Sequence, residues 1–300
     1  MPTWRDLRVD AERSLAGAGI ENASSEARWM VEHVSGYDAA ELVTAEDEPA
    51  TMRAAAQLDE LIGRRRDGEP LQYVLGRWLF RGLELLVDPR VLIPRPETEV
   101  TAQIAIDEAV RLGVRRGHPD PWAGAATTYA VADLGTGAGA LALALAGELP
   151  DAEVWGTDVS EEALAVARAN VAGTGLPSTR VRLAAGSWFD ALPRALRGRL
   201  RLVVSNPPYV AESEVADLPA ELLREPRRAL VSGTTGMEAI DELAREAPAW
   251  LDDTGTFVCE ITPQRAEVAA KVASAAGFDE VLVRPDLAGR DRVLVARMLG

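Results

Sequence analysis

The chain has 300 residues, is 47% hydrophobic and carries a formal net charge of -15, a length and apolar share that suit two modest domains or one large one with a sizeable core. The acidic balance argues against a broad surface for reading duplex phosphates, although it leaves room for a small basic patch. The charged, amphipathic start "MPTWRDLRVDAERSL" has no signal-peptide core, no apolar run approaches a membrane span, and the single cysteine excludes an intramolecular disulfide, so a cytoplasmic protein is expected.

Residues 1 to about 68 read as helical. Trp4, Leu7, Ala11 and Leu15 fall at helical spacing in "WRDLRVDAERSLAGAG", which stops at glycines. "SSEARWMVEHVSG" opens on a Ser cap with Glu26 near its first turn, and the Ala-rich "TMRAAAQLDELIGRRRDG" predicts a third helix. A helical bundle with short loops is therefore expected over 1–70. The basic runs "RRRDGEP" (Arg64 to Pro70) and "PRALRGRLR" (Pro193 to Arg201) are expected to be solvated surface. Residues 71–98 hold aromatic and β-branched runs broken by Gly and Pro, which predicts a β-hairpin linker.

From 99 to 300 the pattern changes again. "VTAQIAIDEAVRLG" is a helix and "GHPDPWAGAATT" a loop. Strands then follow at "YAVADLG", "EVWGTDV", "VRLAAG", "RLVVSNPPY", "GTFVCEIT", "EVLVRPD" and "RVLVARML", most of them separated by helical segments. This predicts an α/β domain with a doubly wound parallel sheet and an antiparallel element at its end. Cys259, inside one strand, is expected to be a small core residue. His33 and His118 lie far apart, and no cluster has metal-ligand spacing.

Two strand ends carry chemistry. In "VADLGTGAGALALALA" a strand ends near Asp133 and a helix begins near Ala138 to Ala140, with Gly135, Gly137 and Gly139 between. The stretch Gly135-Thr136-Gly137-Ala138-Gly139-Ala140 has Ala where a dinucleotide fingerprint needs its last Gly. A tight turn without a ligand is the plain alternative. The next strand, however, ends in Asp158, an acid placed to accept from ribose hydroxyls, while Ser160 is better placed to cap the following helix. Asp133 points into the same turn. Together they describe a nucleoside with a zwitterionic tail and no pyrophosphate, which S-adenosylmethionine fits. Trp188, after Ser187 in "GSWFDAL", is then placed for adenine stacking; otherwise it is a core aromatic.

The second strand end is "SNPPYV". Pro207 and Pro208 have no N–H to donate, so this strand end presents acceptors. Asn206 adds a side-chain carbonyl, and Tyr209 a flat wall. Two fixed acceptors can hold both hydrogens of a planar –NH2 group for in-line attack on a methyl and stabilise the positive charge that develops on nitrogen.

With these motifs in place, the chain resembles the HemK/PrmC family of release-factor glutamine methyltransferases. The likeness runs in order through "RRRDGEPLQYVLG", "LIPRPETE" (Leu92 to Glu99), "DLGTGAGALALALA", "TDVSEEALAVARAN", "SWFDAL", "VSNPPYV", "EPRRALVSGTTGMEAI" and "DLAGRDRVLVAR". It implies a helical substrate-docking domain, a hairpin linker and a Rossmann-like class I methyltransferase domain. The implied reaction moves a methyl from S-adenosylmethionine to the glutamine amide in the Gly-Gly-Gln tip of class-I peptide chain release factors. By the same resemblance, Asp133, Gly135, Thr136, Gly137, Ala138, Gly139, Asp158, Ser187, Trp188 and Asn206 bind the cofactor. Asn206, Pro207, Pro208 and Tyr209 hold the glutamine, with Asn206, Pro207 and Tyr209 catalytic. Arg95 and Glu97 of "LIPRPETE" are expected to be structural. Ser187 replaces a usual acid, and Thr262-Pro263 departs from the family's Glu-x-Gly. Another amide or amine (small molecule, other protein or nucleic-acid adenine) is thus the alternative substrate.

Overall fold

Thr3 starts the first helix through a reciprocal cap. Its hydroxyl accepts from Asp6 N–H at 3.1 Å, and the Asp6 carboxylate accepts from Thr3 N–H at 2.9 Å. The computed structural model describes residues 1–117 and 129–300 and divides into two units. The first comprises Met1–Arg77 together with Pro219–Arg224. It holds helices α1 (Trp4–Gly17), α2 (Ala23–Ser35), α3 (Ala39–Thr44), α4 (Met52–Arg66) and α5 (Leu71–Leu75). Trp4, Leu15, Met30 and Leu58 share its core. The sequence pattern does not announce α3 and α5, because six and five residues are too few to display a period.

One expectation is corrected here. The run at Arg64 to Arg66 is not simply solvated surface. The Arg65 side chain is 7% exposed and lies 2.6 Å from Glu26, itself 9% exposed. Glu221, from the Pro219–Arg224 segment, takes its other face at 2.7 Å, and Arg64 pairs with Glu69. A buried guanidinium needs such partners, because desolvation is not otherwise offset.

The second unit is Trp78–Leu218 with Glu225–Gly300. Strands β1 (Arg77–Phe80) and β2 (Leu83–Leu86) form a hairpin turned at Arg81-Gly82, both with positive φ, as a type I′ turn requires. Phe80 and Leu85 are buried in this unit's core. After α6 (Pro96–Arg111) come β3 (Tyr129–Leu134), α7 (Ala140–Glu148), β4 (Ala152–Asp158), α8 (Glu161–Gly173), β5 (Val181–Ala185), β6 (Leu200–Ser205), α9 (Arg227–Leu230), α10 (Glu238–Trp250), β7 (Leu251–Glu260), α11 (Ala266–Ala275), β8 (Glu280–Pro285) and β9 (Asp291–Arg297). His118 and most of the expected "GHPDPWAGAATT" loop lie outside the described residues.

The sheet order is β5-β4-β3-β6-β7-β9-β8, parallel except where β9 pairs. That is the Rossmann-like class I methyltransferase arrangement expected, with helical cores on both faces: α6 and α7 residues in one, α10 and α11 residues in the other. Cys259 is fully buried, and burial pushes its thiol well up, so it stays protonated. Arg180 is buried and donates to the Leu149 carbonyl at 2.8 Å and the Ala152 carbonyl at 3.1 Å, and also to Ala146. This satisfies carbonyls at the end of α7, whose own last turn has no basic residue. Among the described residues, no helix is long and apolar enough to cross a membrane.

Candidate active site

Strand register sets the site. Asp133 pairs with Gly156 on one side and Val204 on the other, so the ends of β3, β4 and β6 lie level. The chain reverses direction across the sheet between β3 and β6, the switch point where open α/β sheets bind ligands. Ser205 ties the two ends together, its hydroxyl donating to the Leu134 carbonyl at 2.6 Å. A cavity of about 230 Å³ opens there.

The glycine turn is held by its neighbours. Gly135 N–H and Thr136 N–H both donate to the Thr157 carbonyl at 2.8 Å. Gly137 N–H donates to Asp158 Oδ2 at 2.9 Å, and Ser160 N–H donates to Asp158 Oδ1 at 2.8 Å. Each Asp158 oxygen therefore keeps a lone pair for a hydroxyl donor. Burial raises the Asp158 carboxyl, while these N–H donors and Arg228 pull it back down. Ser160 caps α8, as the sequence suggests, accepting from Ala163 N–H at 3.2 Å. Asp133 sits behind the turn, fully buried. Its Oδ2 accepts from the Thr136 hydroxyl at 2.6 Å and from Ala142 N–H at 3.0 Å, whereas Oδ1 is buried with no partner. Burial pushes this carboxyl up to about 7.

Trp188 has φ +40, a strained value for a bulky residue, and its carbonyl is fixed by the Thr157 hydroxyl at 3.1 Å. Its ring fills the space beside Gly135, where an added Cβ would come within 2.9 Å of Trp188 Cζ3. Gly135 itself has φ +76. Gly135→Ala is therefore expected to displace the ring, cost about 1–2 kcal/mol in backbone strain and weaken nucleoside binding by roughly tenfold. Denaturant unfolding and titration calorimetry read the two effects.

Across the cavity, Asn206 Nδ2 donates to the Thr98 hydroxyl oxygen at 3.1 Å, and Asn206 Oδ1 is buried without a partner. Thr101 Oγ1, one turn along α6, donates to Glu260 Oε2 at 3.1 Å. Glu260 is 1% exposed, and burial pushes it up to about 7, against Thr98, Thr101 and Arg292. The Tyr209 phenol is pushed up to about 12, chiefly by burial, and stays neutral.

The structure thus brings Gly135, Gly137, Asp158, Ser187, Trp188, Asn206 and Pro208 to one cavity. Thr136, Ala138 and Gly139 are buried behind it: Thr136 holds Asp133, the Ala138 carbonyl accepts from Asn170, and Gly139 starts α7 against Leu143 and Ala167. Pro207 is buried, and Tyr209 packs on the second core. Arg95 pairs with Glu225 and Glu97 with Arg290 at 3.3 Å, in keeping with structural roles. The sequence reading misses Thr98, Glu260 and Arg228. Thr98 lies inside the "LIPRPETE" motif, and its hydroxyl beside two charged residues was the available signal. The Thr262-Pro263 departure starts a turn in which Arg265 donates to the Thr235 carbonyl and pairs with Glu214 at 2.7 Å.

Residues 6–76 match the PrmC N-terminal domain, and residues 122–239 match the methyltransferase small domain. The release factor glutamine methyltransferase of Cereibacter sphaeroides is 38% identical over 97% of this chain and 97% of its own length. This chain belongs to the release factor glutamine methyltransferase family. The family member from Deinococcus radiodurans is 36% identical over 99% of both chains. Among solved structures, the hMettl16 catalytic domain in complex with a MAT2A 3′UTR hairpin is similar with a TM-score of 0.55, 14% identity and 83% coverage of each chain. At that identity the likeness speaks for the fold alone. The family's helical and methyltransferase parts therefore both have counterparts here.

Proposed function

We propose that this chain transfers the methyl of S-adenosylmethionine to the side-chain amide nitrogen of the glutamine in the Gly-Gly-Gln motif of class-I peptide chain release factors, in the cytoplasm. The observation that carries this reading is the buried, partnerless Oδ1 of Asn206 at the cavity that also holds Asp158. A buried acceptor left without a donor costs about 1–3 kcal/mol, which a ligand N–H recovers on binding.

The residues present fit the cofactor. Gly135 leaves room that a Cβ would fill against Trp188, and Asp133 Oδ1 is a second buried acceptor without a partner. Asp158 would hold the ribose, Trp188 and Ser187 the adenine end, and the turn at Gly135 to Gly139, with Asp133 behind it, the methionine end. When bound, the cofactor supplies an electrophilic methyl on sulfonium. The chain's part is orientation. Asn206 Oδ1 and the carbonyl at Pro207 accept from the amide –NH2 and fix its plane, and Tyr209 walls it. Accepting from the amide also favours the charge that develops on nitrogen. The neutral Tyr209 phenol supplies no base, in keeping with a proton that leaves after transfer.

The net charge of -15 favours a protein over a nucleic-acid amine. Incubation with a class-I release factor and methyl-labelled S-adenosylmethionine, followed by peptide mass spectrometry, tests the proposal. One added methyl on the Gly-Gly-Gln glutamine is expected. Label elsewhere, or on adenine in RNA or DNA instead, overturns it.

A further inference from the structure

The cavity is lined by two kinds of chain. Gly135, Gly137, Asp158, Ser187, Trp188 and Asn206 lie at or just past the ends of β3, β4, β5 and β6, where the parallel ladder fixes their places. The rest of the lining does not start from that sheet. Arg90, Val91 and Leu92 belong to the irregular stretch between β2 and α6, and Pro226, Arg228 and Ala229 to the single turn of α9 and its approach.

These two stretches meet at Glu225, the first residue of "EPRRALVSGTTGMEAI". Its side chain is 1% exposed, accepts from Ile93 N–H at 2.9 Å and pairs with Arg95. Ile93 directly follows Leu92, and Pro226 directly follows Glu225, so one carboxylate bonds the two stretches to each other. Ile93 is itself buried, and a buried N–H needs an acceptor. Bonds to an ionised carboxylate are among the strong ones. The strap that starts at Glu225 is fastened again at its far end. Val231 bridges to Val210, the residue after Tyr209, with Val210 N–H donating to the Leu230 carbonyl at 2.9 Å and Ser232 N–H to the Val210 carbonyl at 2.9 Å. The residues just before Glu225, Pro219–Arg224, group with the first unit, so it is at Glu225 that the strap joins the second.

We infer that Glu225 is a positioning residue for the nucleoside: by bonding Ile93 and Arg95 it joins the lining at 90–92 to the lining at 226–229, and so preforms the part of the cavity that the sheet does not build. A preformed wall spares the ligand the cost of ordering it. The Arg95 ion pair serves the same end, which gives the "LIPR" stretch a task at the cavity. The inference rests on the S-adenosylmethionine reading only for its effect on binding. The staple itself is a property of the chain.

The test uses the full chain and Glu225→Gln, which keeps the shape of the side chain and removes its charge. In the ligand-free variant, amide hydrogen exchange read by mass spectrometry should quicken about tenfold across 90–95 and 226–231, with β3, β4 and β6 unchanged. Calorimetry with S-adenosylmethionine should show binding weakened about tenfold. The KM for the cofactor should rise in step, while kcat at saturating cofactor changes far less. Should Glu225→Gln not fold, Arg95→Met, which removes the ion pair and leaves the Ile93 bond in place, carries the same test with the same pattern. Faster exchange spread evenly over the second unit overturns the inference, as does a folded variant that keeps the parent's exchange at 90–95 and 226–231 or the parent's cofactor affinity. Each of these results makes Glu225 an ordinary core ion pair. A parent chain that binds no S-adenosylmethionine overturns the cofactor reading instead, and the exchange pattern then decides the staple alone.

Discussion

Asn206→Ala is expected to lower kcat for glutamine methylation by about 10²–10³, the usual worth of one preorganised polar group aimed at developing charge. The cavity should otherwise survive. Asp158, Gly137 and Ser160 hold one another without Asn206, and the strand end is tied through Ser205 to Leu134. The substitution removes the buried acceptor Oδ1 and leaves the Thr98 hydroxyl without its donor. The folded state should lose about 1–3 kcal/mol from the unpaired Thr98 hydroxyl, and the loss in kcat should exceed any loss in cofactor affinity. Retained turnover in a folded Asn206→Ala chain would place the amide acceptor elsewhere. Steady-state kinetics with calorimetry on the same preparation separates the cases.

The second large effect concerns pH and Asp133. Its folded value of about 7 lies above the ordinary 3.8 because burial disfavours the charged form. The stability tied to this group is complete below about pH 4 and is lost as pH rises through 7. At about 1.4 kcal/mol per pH unit, the ligand-free chain gives up about 4 kcal/mol from Asp133 by roughly pH 8. Asp133→Asn cannot ionise, and its oxygen can still accept from Thr136 and Ala142. The variant should be more stable than the parent near pH 8 by up to about 4 kcal/mol, with the gap closing toward pH 5. Denaturant unfolding at several pH values measures it. Parallel curves for the two chains would mean that Asp133 titrates normally. The same variant should bind S-adenosylmethionine more weakly, since the amino group of the methionine end loses an anionic partner.

Much of this architecture is legible in the residues. Apolar strands such as Leu200–Ser205 and the helix at Glu238–Trp250 announce themselves by composition and period, and their alternation predicts a parallel sheet, whereas the place and register of β3 between β4 and β6 appear only in the fold. The Gly135 turn and Asn206 are legible because glycine and proline have few other uses at a strand end. What stays hidden is what the chain brings together from afar. Thr98 and Asn206 are 108 residues apart, and Thr101 and Glu260 are 159 apart. A threonine in a helix's first turn looks like any other until its partner is known. Asp133 shows the converse. Its place in the turn is readable, but its role in holding Thr136 and the first turn of α7 depends on hydrogen bonds that only the folded chain displays.

The grouping of Pro219–Arg224 with the helical unit has a practical consequence for dissecting the enzyme. A fragment beginning at Trp78 would keep these six residues yet lose Arg65, the partner of Glu221, and Asp67, whose carbonyl accepts from Arg224. Cutting the gene at the apparent boundary would therefore trim the helical part incompletely and leave six of its residues without their partners. A clean dissection needs two edits: removal of the first 77 residues and a short replacement linker for 219–224.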